Sequence, residues 1–303
     1  MALATRAEQL GYHRVWYAEH HNIEAIASSA TAVLVAHVAA HTERIRLGAG
    51  GIMLPNHAPL TIAEQFGTLE TLHPGRIDLG LGRAPGSDQA TMRALRRGPE
   101  AAETFPQDVL ELQGYLSGET LVPTVHAVPG RGTNVPLYIL GSSLFGAQLA
   151  AVLGLPYGFA SHFAPALLQE AIAIYRERFE PSKQLDHPHV IAGVNVIAAD
   201  SDEEASEQLH VTKRARVRNL FSRGGQRLTD GEAEQILQSP QGLHVEQMMR
   251  YTAVGRPSVV RTFLDQFVSE TGADELMVVH TASTVALRLR SLELLAEAAE
   301  LAA

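Results

Sequence analysis

The chain has 303 residues, with 24 basic and 33 acidic side chains for a net charge of −9, 14 histidines and no cysteine. The lack of thiols excludes disulfide scaffolds, thiolate metal sites and cysteine nucleophiles, and the acidic balance argues against nucleic acid or an anionic lipid surface as main partner. Apolar residues at 46% and charged residues at 19% supply a large core and leave no stretch that reads as extended disorder.

Leu3, Ala7 and Leu10 at helical spacing, closed by Gly11, predict a helix over 2–10. The run from His13 to Ala18 is short and rich in Val, Trp and Tyr, a strand composition. The alternation continues with a helix over 29–41, a strand over 45–52, a helix over 60–72 and a strand over 76–81. A long connection leads to a helix over 105–116, a strand over 137–140, a helix over 144–153 and a short strand over 157–160. A helix over 164–179, a strand over 191–199, helices over 201–221 and 257–271, a strand over 275–280 and a helix over 284–298 complete the pattern.

Strands alternating with helices imply parallel pairing through crossovers. Seven strands are visible and the chain opens inside what reads as the helix following an eighth, so the expected architecture is an α/β barrel of eight strands with the first strand missing, a single domain over 1–303. The alternative is an open doubly wound sheet. Against it, Gly48-Ala49-Gly50-Gly51 lies within a strand, whereas a dinucleotide fingerprint needs its glycines in the turn that opens a helix. Two long connections read as lids on the side where barrels keep their chemistry: 83–104, with Ala84-Pro85-Gly86-Ser87-Asp88 and Arg96-Arg97-Gly98-Pro99, and 222–255, with Arg223-Gly224-Gly225-Gln226. No window approaches the roughly 18 apolar residues of a membrane span, and the first ten residues lack the apolar core of a signal peptide. The expected location is cytoplasmic.

Four signals fall at strand ends and would meet at one mouth: Glu19-His20-His21-Asn22, Gly50-Gly51, Gly82-Arg83 and Gly141-Ser142-Ser143. The guanidinium of Arg83, with the hydroxyls and amides of Ser142 and Ser143 at the start of a helix, makes a phosphate cradle. Adjacent glycines in a strand permit unusual peptide geometry and close approach of a flat ligand. Together they describe a phosphorylated planar cofactor lying across the mouth.

With these residues the sequence resembles the bacterial luciferase-like flavin monooxygenases, in the branch of relatives of the luciferase α subunit. The resemblance spans nearly the whole chain and rests on Ala18-Glu19-His20-His21-Asn22, on Gly48 to Pro55 with Asn56-His57-Ala58-Pro59, on Ala63-Glu64-Gln65-Phe66, and above all on the run from His73-Pro74-Gly75-Arg76 through Gly82-Arg83. Val254-Gly255-Arg256-Pro257 and Gly272-Ala273-Asp274-Glu275-Leu276 add to it. It implies a TIM-type barrel that binds reduced FMN and inserts one atom of O2 into a small organic substrate, commonly an aldehyde in the luciferases. Residue by residue, it implies that His20 is the catalytic histidine and that Gly50-Gly51 is the site of a non-proline cis peptide beneath the flavin ring. Arg83 matches the phosphate-binding arginine, Gly82 replaces a luciferase cysteine near the reactive ring, and Ser142 matches a phosphate-binding serine with Ser143 beside it. The acidic neighbour of that serine in luciferase is Gly141 here, a departure that bears on the phosphate geometry.

The chemistry suits these residue types. Reduced flavin must be kept from bulk water, and a histidine, which titrates near neutrality, can pass a proton to or from the reacting groups. Blander readings stand beside these. His20 and His21 also read as a hydrogen-bonded pair, Gly50-Gly51 as a plain bulge, Arg83 as an ion-pair partner of Asp78 or Asp88, and Ser142 and Ser143 as helix caps. No metal site is expected, since no His-Glu-x-x-His helix accompanies the histidine pair. His57, His73, His126, His162 and His244 lack companions at catalytic spacing and read as structural; His280 ends the last strand and is a candidate to face the mouth. The run Lys213-Arg214-Ala215-Arg216-Val217-Arg218 reads as a solvated helix face, offset by Glu203, Glu204 and Glu207 upstream.

The resulting expectation is an FMN-dependent monooxygenase supplied with reduced flavin by a separate reductase, because the chain shows no dinucleotide-binding module, and assembled as a homodimer. A deazaflavin-dependent hydride transferase and a flavin-binding protein without turnover are the alternatives.

Overall fold

Helices and strands follow one another along the described chain in the computed structural model, which describes residues 1–301 except 24–25, 85–87 and 223–226. The Pro85-Gly86-Ser87 and Arg223-Gly224-Gly225-Gln226 signals lie outside the described residues. In chain order the elements begin with α1 (Ala2–Gln9), β1 (Arg14–Tyr17), α2 (Thr31–Ala39), β2 (Arg46–Met53), α3 (Pro59–Leu72) and β3 (Ile77–Gly82). Next come α4 (Gln89–Ala94), α5 (Phe105–Ser117), β4 (Leu137–Gly141), α6 (Leu144–Leu153), β5 (Tyr157–Phe159) and α7 (Leu168–Glu177). The chain continues through β6 (Val190–Ala198), α8 (Asp202–Phe221), α9 (Asp230–Leu237), α10 (Pro240–Met248), β7 (Thr252–Gly255), α11 (Pro257–Thr271), β8 (Glu275–His280) and α12 (Val285–Ala298).

Local chemistry sets the boundaries. Proline opens α3 and α11, where its missing amide costs no helical bond. Ser201 and Thr284 cap α8 and α12 by accepting from Glu204 and Leu287 amides at 3.1 and 3.2 Å. Left-handed Gly118 and Gly272 end α5 and α11.

Two of the expected connections contain elements. Residues 83–104 hold α4 and a 3₁₀ turn over Pro99–Ala102. Residues 222–255, read as a lid, hold α9, α10 and the strand β7. Thr229 opens α9 in a capping box with Glu232, and Ser239 caps α10. Val217 of α8, Ala233 of α9 and Val245 of α10 then pack with Met249 into a buried cluster. Both helices have fewer than ten residues and β7 has four. Segments so short carry too few periods to stand out in the sequence. With β7 the described strands number eight.

The described residues group into two compact units, Met1–Glu8, Tyr12–Gly158 and Ala173–Pro188 in one, Gln9–Gly11, Phe159–Ile172 and His189–Ala303 in the other. In the first unit β1, β2, β3 and β4 pair in chain order and in parallel. In the second, β6 pairs in parallel with β7 along Asn195–Ala198 and with β8 along Ile191–Val196. Parallel strands joined by helices make this an α/β fold, the class expected.

The first unit is tied together near the starts of its strands by the carboxylate of Asp78, which is 0% exposed. Arg14 Nη1 donates to it at 2.7 Å, Trp16 Nε1 at 3.0 Å and Arg46 Nε at 3.0 Å. Tyr138, on β4, takes a bond from Arg14 at 2.8 Å and donates to Asp78 at 3.4 Å. Removing one member of such a buried set leaves the others charged and unpaired, at a cost of about 3 to 5 kcal/mol. Asp78→Ala is therefore expected to lower the free energy of unfolding by about that amount in denaturant titration; a loss below about 1 kcal/mol, the scale of a surface ion pair, would contradict the tie.

Candidate functional site

The strand ends of the first unit bring the predicted residues into register. Met53 lies opposite Gly82 and Gly82 opposite Leu140, so Arg83 and Gly141 are side by side at the ends of β3 and β4. The Arg83 guanidinium carbon lies 4.2 Å from the ring centroid of Phe145, in the first turn of α6. The cation is thereby held beside the start of that helix, whose unpaired amides favour an anion.

Ser143 occupies the N-cap position of α6, yet its side chain makes no capping bond; its carbonyl accepts from the Tyr157 hydroxyl at 3.2 Å. Ser142 precedes it, half-buried. A Cβ built on Gly141 would meet nothing within 4 Å, so the position that is acidic in the luciferases opens onto free space. The ion-pair reading of Arg83 does not hold among the described residues. Asp78 is taken by Arg14 and Arg46, and Asp88 caps α4 by accepting from the Thr91 amide at 2.7 Å.

The Gly50–Gly51 peptide is cis, and the register of β2 on β3 shifts between Ala49 and Ile52. A Cβ on Gly51 would stand 2.8 Å from the Gly80 carbonyl oxygen, and one on Gly82 2.9 Å from Met53 Sδ. Both distances are shorter than carbon packing allows, so these glycines let β2 and β3 pack closely and leave bare backbone at the strand ends.

His20 lies three residues past β1, half-buried, with its amide bonded to the Ser28 carbonyl at 3.2 Å. Its neighbour Glu19, 1% exposed, is a hub that the sequence reading missed. One carboxylate oxygen accepts from His21 Nε2 and from His57 Nε2, each at 2.8 Å; the other accepts from the Met53 amide at 3.1 Å. Burial works to raise the Glu19 pKa, but the bonds from His57 and His21 outweigh it and hold the carboxyl below the usual 4.5. As an anion Glu19 only accepts, so both imidazoles carry their proton on Nε2. His57, read as structural for want of a companion, thus has two: Glu19 and His21. Its motif and that of Glu19 were both visible, but 38 residues separate them.

His280 does not face the strand-end loops. Its Nδ1 lies 2.8 Å from the Ser291 hydroxyl on α12, the same hydroxyl that accepts from the Ala198 amide at 3.0 Å, and burial pushes its pKa down to about 4. The basic run on α8 is not a solvated face balanced by the upstream glutamates. Lys213 pairs with Glu246, and Arg214 and Arg218 pair with Asp230.

Comparison with known proteins shows the family. Residues 1–295 match the family model of luciferase-like monooxygenases. The chain is 50% identical to YvbT of Bacillus subtilis over 300 residues, 98% of this chain and 89% of that one. It is 48% identical to a luciferase-like monooxygenase of Escherichia coli over 294 residues, 96% of this chain and 88% of that one. The crystal structure of apo-MsnO8 superposes with a TM-score of 0.88 at 36% identity, covering 99% of this chain and 92% of that one. At lower identity the fold recurs in the oxygenating constituent of 3,6-diketocamphane monooxygenase from Pseudomonas putida in complex with FMN (TM-score 0.72, 17% identity, 98% of this chain and 90% of that one). It also recurs in the coenzyme F420-dependent tetrahydromethanopterin reductase of Methanopyrus kandleri (0.70, 19%, 98% and 92%).

The Glu19 hub has a pH signature. Because the folded-state pKa is lowered, its stabilisation is fully present above about 4.5 and is lost as pH falls through the folded value. The stability difference between the wild type and Glu19→Gln should be constant from neutral pH to about 5 and shrink below it. Denaturant titrations across that range check this; a difference that grew on acidification would refute it.

Proposed function

We propose, for a chain that belongs to the luciferase-like monooxygenase family, that this oxidoreductase is an FMN-dependent monooxygenase that takes reduced flavin from a separate reductase and uses O2 to oxygenate a small organic substrate, such as an aldehyde. The observation that carries the reading is Arg83, stacked on Phe145 beside the uncapped start of α6 with open space at Gly141. A cation, a free hydroxyl and unpaired helix amides around an opening fit the phosphate tail of a flavin mononucleotide.

Arg83, Ser142 and Ser143 would hold that phosphate, while Gly50, Gly51 and Gly82 give the ring a surface without side chains. When bound, the flavin supplies the electrons that reduce O2. His20 lies between Glu19 and His21, both fixed by hydrogen bonds, so its backbone is held in place, and its imidazole is the group we assign to move a proton. We read residues 1–303 as one barrel domain, acting as a homodimer in the cytoplasm; no described helix is long and apolar enough to cross a membrane.

A second reading, hydride transfer by a deazaflavin, draws support from the fold shared with the F420-dependent reductase. Titrating the purified protein with FMN, reduced FMN and deazaflavin separates the two. The expected result is tight binding of reduced FMN, weakened about 10- to 100-fold by Arg83→Ala, the usual effect of losing a charge-assisted bond. His20→Ala should leave that affinity unchanged and lower turnover about 10²- to 10⁴-fold. Equal FMN affinity in wild type and Arg83→Ala, or binding of deazaflavin alone, would overturn the FMN assignment.

A further inference from the structure

Of the four cations between Lys213 and Arg218, three are paired with acids on α9, α10 or the start of α9: Lys213 with Glu246, Arg214 and Arg218 with Asp230. The Arg216 side chain forms no ion pair or hydrogen bond with any described residue; it is half-buried, and desolvation lowers its pKa. One turn before it on α8, Thr212 Oγ1 donates to the Thr281 carbonyl at 3.0 Å, and the Thr281 amide donates to Val196 at 3.3 Å. That face of α8 therefore lies over the C-terminal ends of β6 and β8.

Neutral groups with unspent hydrogen-bonding capacity share this part of the second unit. His162 occupies the space that a side chain at Gly193 would take. Burial and the charge of Arg216 push its pKa down to about 4, so the ring is neutral near pH 7. Two residues further along the same face of β6, Asn195 donates through Nδ2 to the His162 carbonyl at 2.6 Å and is 1% exposed. Asn195 Oδ1, His162 Nδ1 and Thr281 Oγ1 are all buried without a partner. Buried polar atoms left unpaired are uncommon, and here three of them lie in the part of the unit that the half-buried Arg216 faces.

We propose that Arg216, Asn195 and His162 form a binding site for a small organic carboxylate that carries a hydrogen-bond donor next to the carboxylate, as an N-acylated amino acid or an α-hydroxy acid does. One guanidinium matches one negative charge, bidentately for a carboxylate. Asn195 Oδ1 takes the adjacent N–H or O–H. A phosphate dianion is a poorer match, because the site offers a single cation beside a neutral imidazole. The site stands on the second unit alone and does not depend on the flavin reading.

Isothermal titration of the full chain with N-acetylglycine, its neutral amide, acetate and inorganic phosphate tests this. N-Acetylglycine should bind about tenfold or more tightly than the amide, which lacks the charge, and than acetate, which lacks the donor. Arg216→Gln should abolish that binding, and Arg216→Lys should retain part of it. Both variants should melt close to the wild-type temperature, which separates lost binding from lost fold. Failure of the wild type to bind N-acetylglycine, equal binding of the amide or of phosphate, or unchanged binding in Arg216→Gln would each overturn the assignment.

Discussion

A single carboxylate fixes how the first four strands meet. Asp78 is wholly buried and takes bonds from Arg14 and Trp16 of β1 and Arg46 of β2, with Tyr138 of β4 bonded to both Asp78 and Arg14. An uncompensated charge in that position would be costly, so the partners must arrive together and on one face of the sheet. A slip of one residue in any of the strands would turn its contribution to the opposite face. Gly48 enforces the same register from β2, since a Cβ there would stand 2.5 Å from the Asp78 carbonyl oxygen. Once the strand starts are locked, the strand ends follow: Tyr17 opposite Ala49, Met53 opposite Gly82, Gly82 opposite Leu140. The closeness of Arg83 to Gly141 is thus a consequence of bonds made at the far end of the strands.

Among the described residues of this unit, two buried carboxylates hold opposite ends of the strands. Asp78 faces guanidiniums, which keep their charge at any pH a protein survives, at the strand starts, where α/β barrels place structural contacts. Glu19 faces the imidazoles of His21 and His57 at the strand ends. The Glu19 network joins the segment after β1 to the Met53 amide at the end of β2 and to His57 just beyond it. It therefore fixes the residues on either side of His20. The sequence Glu19-His20-His21 makes the arrangement local.

What was legible in the sequence was whatever repeats or clusters locally. Seven strands and the long helices followed from periodicity, and α6 and α11 begin and end at Leu144–Leu153 and Pro257–Thr271 as the apolar spacing and flanking glycines require. The cis peptide was expected only because adjacent glycines in that motif resemble a known family, not because any propensity demands it. What escaped was short or distant. β7 has four residues, too few to show alternation, and His57 meets Glu19 across 38 residues, a pairing that no local pattern encodes. His280 stood at a strand end, but strand ends alternate faces, and Ser291 on α12 holds it on the helix side.

The basic run on α8 shows that part of what was missed was recoverable by counting. In an α-helix each residue advances by about 100°. Arg214 and Arg218 are one turn apart and share Asp230, while Arg216, midway between them in sequence, falls roughly half a turn round the axis. Val217, buried against α9 and α10, marks the side on which Lys213, Arg214 and Arg218 find their acids. A run of four cations cannot all occupy one face at that spacing, so reading it as a single solvated stripe was a failure of geometry rather than of information. The residue left over is the one carried to the sheet side with Thr212, one turn before it, where it lies half-buried with no acid of the described chain paired to it. Net charge gives no hint of this: the chain carries −9 overall, and the deficit of negative charge at Arg216 is purely local.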